Sequence, residues 1–225
     1  MYSLEGLPGS KRAQINNAGF PAKTIGMRLE DIDAVPNQIP MWLGLVKKQL
    51  VVRSFGEKTC GLGLLLQGSP GHGKTTMASA VAQELILTAE QPVWGNSVNF
   101  IRRPVVFLDY PKLLRLQKQV WSDEDDAVEL LIRGLYGEAG KENDVCLLIL
   151  DDLGKEYRTA SQWAENTFDA LLRSRFNAGL PTIITTNYSL DKWDDMYGES
   201  MGSFGHEAFV PIDVVSEKGD RRRWA

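Results

Sequence analysis

The sequence predicts an α/β fold in which a five-stranded parallel sheet is packed between helices. Two observations carry this. Four short apolar runs, Leu62–Leu66, Val105–Leu108, Cys146–Leu150 and Thr182–Thr185, are mostly uninterrupted rather than alternating. Strands buried on both faces read this way, as in a parallel sheet covered by helices. Helical patterns separate the runs, and strand–helix–strand–helix order marks an α/β domain. The chain has 225 residues, 43% hydrophobic and 24% charged, which suffices for one well-buried core and leaves little room for a second full domain.

Each element follows from local pattern. Residues before about Leu29 are rich in Gly, Pro, Lys and Asn, so 1–28 reads as an N-terminal arm and 29–225 as the domain. A helix is expected from Pro40 to about Phe55, ahead of the first strand. Lys74–Thr88 carries Met77, Val81 and Leu85 at fourfold spacing, one face of a helix. Helices over Tyr110–Trp121 and Asp126–Tyr136 fill the gap before the third run. Thr159 and Gln162 form a capping-box pattern ahead of a helix with Trp163, Thr167, Phe168, Leu171 and Leu172 on one side. A last strand is expected within Phe209–Val215, with little chain after it for a lid.

Composition excludes several classes. Net charge is −4, so the protein is not coated in basic charge, although a local basic strip remains open. No apolar run approaches the roughly 20 residues that span a bilayer, and Met1–Ser10 lacks a secretory apolar stretch. Cys60 and Cys146 are too few for a disulfide framework and fit a reducing cytoplasm.

The most specific signal is Gly68-Ser69-Pro70-Gly71-His72-Gly73-Lys74-Thr75, followed by Thr76. It matches G-x-x-x-x-G-K-[ST] at every fixed position, directly after an apolar run and directly before a helical one. Glycines let backbone N–H groups wrap a phosphate, and a helix N-terminus adds a favourable dipole. Lys74 is placed to reach the β- and γ-phosphates, and the Thr75 hydroxyl to ligate Mg²⁺. His72 occupies a variable position and is given no catalytic role.

The run Cys146–Leu150 ends in Asp151 and Asp152. A buried strand delivers such residues to the carboxyl edge of the sheet, where open α/β sheets bind ligands. One carboxylate suits Mg²⁺ and the second suits orienting the attacking water. Thr185-Thr186-Asn187 closes the next run. Its polar tip either contacts the γ-phosphate or water, or caps the following turn.

Taken together, GSPGHGKTT, LLILDDLGKE, LLRSRFNAGLPTIITTN and the closing GDRRR resemble the DnaC/IstB branch of the AAA+ ATPases, and AGFPAKTIGMRLEDI resembles the lead-in to its ATPase core. The resemblance runs from about Gly19 to Arg223. It implies a P-loop AAA+ core with a minimal or absent helical lid, binding ATP or ADP with Mg²⁺. It also implies Lys74 and Thr75 as Walker A residues, Asp151 and Asp152 as the Walker B pair, and Asn187 as sensor 1. An arginine of Arg221–Arg223, Arg222 first, would be sensor 2. The chain departs from the pattern in two places. The branch usually carries a separate helicase-binding domain, where this chain has a short arm. Where the branch usually has the arginine of a Ser-Arg pair, acting on a neighbour's ATP, this chain has Phe204. Arg175, ahead of Arg173, is then the candidate for a relocated finger.

Lys112, Arg115 and Lys118 fall at i, i+3 and i+6 on one side of the Tyr110–Trp121 helix, near Arg102 and Arg103, with Tyr110 and Trp121 interleaved. Basic groups beside aromatic rings suit single-stranded DNA. A solvated face with both rings packed inward is the competing reading. The expected function is a helicase-loader-like ATPase that assembles as a homo-oligomer with ATP on single-stranded DNA, with a replicative helicase as partner and no membrane contact. Two rivals are a transposition helper binding duplex DNA and a transposase, and a slowly hydrolysing nucleotide-switch adaptor.

Overall fold

The computed structural model describes residues 2–90, 93, 103–122, 125–141, 143–154 and 163–215. Five parallel strands form one sheet: β1 (Gly63–Gln67), β2 (Val105–Asp109), β3 (Leu147–Leu153), β4 (Thr182–Thr186) and β5 (Phe209–Asp213). Their spatial order is β2-β3-β4-β1-β5, and every neighbouring pair is parallel. The strand carrying the glycine loop therefore lies inside the sheet, one strand away from the pair of acids.

Alternation along the strands explains why the apolar runs are unbroken. On β1, Leu64 and Leu66 join one hydrophobic cluster and Leu65 the other; on β3, Ile149 faces the first while Leu148 and Leu150 face the second. All six side chains are fully buried. Helices α2 (Gln38–Ser54) and α3 (Lys74–Thr88) cover the first face; α4 (Tyr110–Ser122), α5 (Asp126–Tyr136), α6 (Trp163–Asn177), α7 (Trp193–Tyr197) and α8 (Glu199–Ala208) cover the second. The capping pattern at Thr159 and Gln162 lies outside the described residues. No helix follows β5 among the described residues, and none among them is long and apolar enough to cross a membrane.

The segment expected as an arm lies along the core. Its helix α1 (Gly9–Asn17) and following turns bury Ile15, Ala18, Phe20 and Thr24. Gln83 of α3 accepts from the Gly26 N–H and donates to the Thr24 carbonyl, at 2.8 Å each. Arg28 pairs with Glu84 at 3.2 Å. The Phe107 N–H donates to the Ala18 carbonyl at 2.7 Å, which covers part of the edge of β2.

Candidate nucleotide site

Local sequence builds the loop between β1 and α3. Gly68, Gly71 and Gly73 have φ of +137°, +82° and +92°, a region L side chains rarely enter. At Gly68 a Cβ would also stand 2.8 Å from the Val214 carbonyl oxygen, so side chain and backbone cannot both fit. Gly73 is the N-cap of α3 and no side chain caps its first turn. The leading N–H groups of a 15-residue helix thus face the loop, the arrangement that takes a phosphate. Ser69, Pro70 and His72 sit in the loop, and His72 is half-buried. Thr76 is half-buried on the first turn of α3.

Lys74 is buried, and its Nζ donates to the Gly68 and Ser69 carbonyls at 2.7 and 2.9 Å and to Asn187 Oδ1 at 2.9 Å. The loop lysine and the tip of β4 are therefore in direct contact. Thr75 Oγ1 donates to Asp151 Oδ1 at 2.9 Å. Lys74, Thr75, Asp151 and Asn187, chosen from sequence, form one connected group. Asp152 follows on β3, half-buried, with φ +60°.

Among the described residues no three His, Cys, Asp or Glu side chains gather as a metal cluster. One carboxylate and one hydroxyl fit Mg²⁺, which keeps several waters and binds through one or two carboxylates plus substrate phosphates.

Some contacts at the site were not read from sequence. Thr185 Oγ1 donates to Asp151 Oδ1 at 2.6 Å and accepts from the Asp152 N–H at 2.9 Å. Gln67, at the end of β1, donates to Asp213 of β5 at 3.0 Å and accepts from the Leu190 N–H at 2.9 Å, bracing two strand ends and the turn after β4 around the loop. A cavity of about 250 Å³ beside the loop is lined by Val35, Pro36, Met77 and Val214, among others. Met77 has a helical period to announce it; Val35 and Pro36 lie in a segment without one.

Several expectations are corrected. Arg175 is not a relocated finger. It is wholly buried and donates to the carbonyls of Leu135 (2.7 Å), Val145 (3.1 Å) and Pro181 (2.8 Å) and to Thr182 Oγ1 (2.9 Å). Burial pulls its pKa down to about 9, which still leaves it charged at neutral pH. Arg173 is the half-exposed arginine of α6; it pairs with Asp169 at 2.7 Å and lies 4.5 Å over the Phe204 ring. Phe204 itself packs edge-on against Phe176. Tyr110 cannot stack on a base: it is fully buried, and its hydroxyl donates to the Ala164 carbonyl at 2.7 Å.

Lys112, Arg115 and Lys118 lie on α4, with Arg115 and Lys118 reaching partners at its surface. Arg115 lies 3.8 Å from Asp109, and the Lys118 ammonium lies 5.0 Å over the Trp163 ring. The side chain of Trp121, Arg102, and Arg222 with its neighbours lie outside the described residues.

The fold and the loop together define a P-loop nucleotide-binding protein. Residues 64–211 match the model of the ATPase family associated with various cellular activities, and the chain belongs to this AAA family. The chain is 28% identical over 142 residues to the replicative helicase loader DnaI of Bacillus subtilis (strain 168), which covers 63% of this chain and 38% of that protein. A crystal structure of DnaI superposes with a TM-score of 0.56 at 22% identity, covering 87% of this chain and 94% of that one. A crystal structure of the DnaC helicase loader gives 0.57 at 23%, covering 86% and 99%. At these identities the structures speak for the fold, an AAA+ core without a large lid among the described residues.

Proposed function

We propose that the chain is a helicase-loader-like ATPase that binds and hydrolyses ATP with Mg²⁺ and assembles on single-stranded DNA during replication. The observation that carries the nucleotide part is the contact of Lys74 with both the loop carbonyls and Asn187, beside the Thr75–Asp151 pair. In this reading the glycine loop and the N-terminus of α3 hold the phosphates. Lys74 exchanges its carbonyl partners for phosphate oxygens, and the cavity at Val35 and Met77 takes the base. A bound Mg²⁺ would neutralise charge on the phosphates, with Thr75 and Asp151 on this chain's side. Asp152 orients water, Asn187 senses the terminal phosphate, and Arg222 is the proposed sensor from the C-terminal segment.

The loader part is supported by likeness to DnaI and DnaC, proteins named as helicase loaders. A replicative helicase is accordingly the proposed partner, in the cytoplasm, with Lys112, Arg115 and Lys118 the proposed contacts to DNA. The burial of Arg175 favours slow hydrolysis, with ATP acting chiefly as a switch for self-association. Sedimentation velocity with labelled DNA tests the proposal. Expected is ATP-dependent assembly on single strands that is absent in Lys74→Ala. Assembly on duplex DNA alone would move the assignment to a transposition helper.

A further inference from the structure

We infer that Thr185 is a positioning residue for the two acids: its hydroxyl fixes the carboxylate of Asp151 and the backbone of Asp152 at once. The inference rests on the nucleotide reading above and deepens it. Strands β3 and β4 pair Leu150 with Ile184 and Leu153 with Thr186, and the register shifts between. Two residues, Asp151 and Asp152, therefore face the single residue Thr185. That is a β-bulge, rare between parallel strands and frequent beside functional sites, where it re-aims side chains. Asp152 pays for it with φ +60°, the one positive φ at a non-glycine among the described residues.

The bulge takes the Asp152 N–H out of the regular ladder, and that N–H donates to Thr185 Oγ1 at 2.9 Å. A hydroxyl carries one proton, and a backbone N–H only donates. The Thr185 oxygen therefore accepts on one side, and its own proton goes to Asp151 Oδ1, 2.6 Å away, a normal length for a hydroxyl on a carboxylate. The direction of this relay is set by a backbone group that cannot flip or titrate. It requires Asp151 Oδ1 to accept, so that oxygen carries no proton of its own.

Asp151 Oδ1 thus receives two hydroxyls, from two different elements. Thr75 comes from the loop helix, half-buried, where a metal would join. Thr185 comes from β4 and is fully buried. When Thr75 turns to a metal, Thr185 keeps the carboxylate in place. Two residues further on, Asn187 touches Lys74 at 2.9 Å, so the same strand end sets both the acids and the loop lysine.

The test compares Thr185→Val and Thr185→Ser in titrations of a fluorescent ADP, with EDTA and across a Mg²⁺ series, alongside turnover. Expected for the valine variant is unchanged ADP affinity in EDTA, with the Mg²⁺ requirement raised and turnover lowered by about 10–100-fold, the range for losing a partner that orients a metal ligand. The serine variant restores both. Thr185→Cys, a weak donor of similar size, gives the same shift and serves where the valine variant does not fold. Unchanged Mg²⁺ dependence and turnover in the valine variant, or a serine variant equally impaired, would overturn the positioning role. Wild-type protein that binds no ADP at any Mg²⁺ concentration would overturn the nucleotide reading instead, and this is seen before any variant is made.

Discussion

Asp152 occupies an unusual place for an acid: the second residue of a bulge, in left-handed backbone, at the carboxyl end of a buried strand. Such strain persists where the surroundings over-determine it, and it gathers at functional sites. Replacing Asp152 by Asn keeps the shape and removes the charge. The expected result is unchanged ATP affinity by calorimetry and turnover slowed by about 10²–10⁴-fold, the usual contribution of a positioned base. Lost affinity would place Asp152 with the phosphates rather than the water. The two cysteines give a second test of local environment. Cys146 is buried, and burial pushes its thiol up to about 11, whereas Cys60 is exposed. A thiolate reagent at neutral pH should label Cys60 alone in native protein and both residues after denaturation. Two reactive thiols in native protein would contradict the packing around β3.

Helix α6 shows how an element reverses a reading made from letters. Arg173 and Arg175 stand two apart, and on a helix that separation turns them to different faces. Arg175 points inward and ties the ends of α5 and α6 to the starts of β3 and β4 through three carbonyls and one hydroxyl. Arg175→Met leaves those carbonyls buried without the donor. It should cost about 3–5 kcal/mol, or roughly 10 °C in Tm. Arg173→Met, at a half-exposed ion pair, should change Tm little. Equal effects in thermal melts would contradict the assignment of faces. Along α4, Tyr110 turns in, while Lys112, Arg115 and Lys118 are the proposed DNA strip. Replacing the three by Ala should weaken single-strand binding and cut the salt slope by about 2, near 0.7 for each phosphate no longer neutralised. An unchanged slope in anisotropy titrations would leave α4 a solvated face.

The strands and the loop were legible because their signals are local: an unbroken apolar run, and a glycine spacing that only wrapped backbone demands. The Lys74–Thr88 and Asp126–Tyr136 helices match their predicted bounds. The role of Thr185 was not legible, since it depends on a register shift between β3 and β4 that no single segment encodes. Nor was the place of residues 9–31, polar in composition yet docked through Ile15, Ala18 and Phe20 and through the glutamine at position 83.

At the level of the assembled fold, strand order places the glycine loop, the acids and the tip of β4 at one edge, and packing removes Arg175 from any contact with a neighbour. The slow switch proposed above is tested at this scale. Turnover per subunit should stay low as protein concentration rises. A steep rise, lost in Arg173→Ala alone and partly recovered when that variant is mixed with Lys74→Ala, whose intact Arg173 can reach its neighbour's site, would show a finger on α6 and contradict the slow switch; such fingers are worth about 10³–10⁵ in related P-loop systems. All of this presupposes that the Gly68–Thr75 loop holds a nucleoside triphosphate. Isothermal calorimetry of ATP with Mg²⁺ against wild type and Lys74→Ala tests that most directly. The account predicts saturable one-to-one binding by the wild type and none by the variant, with both proteins folded by circular dichroism. Equal affinity in the two would contradict it.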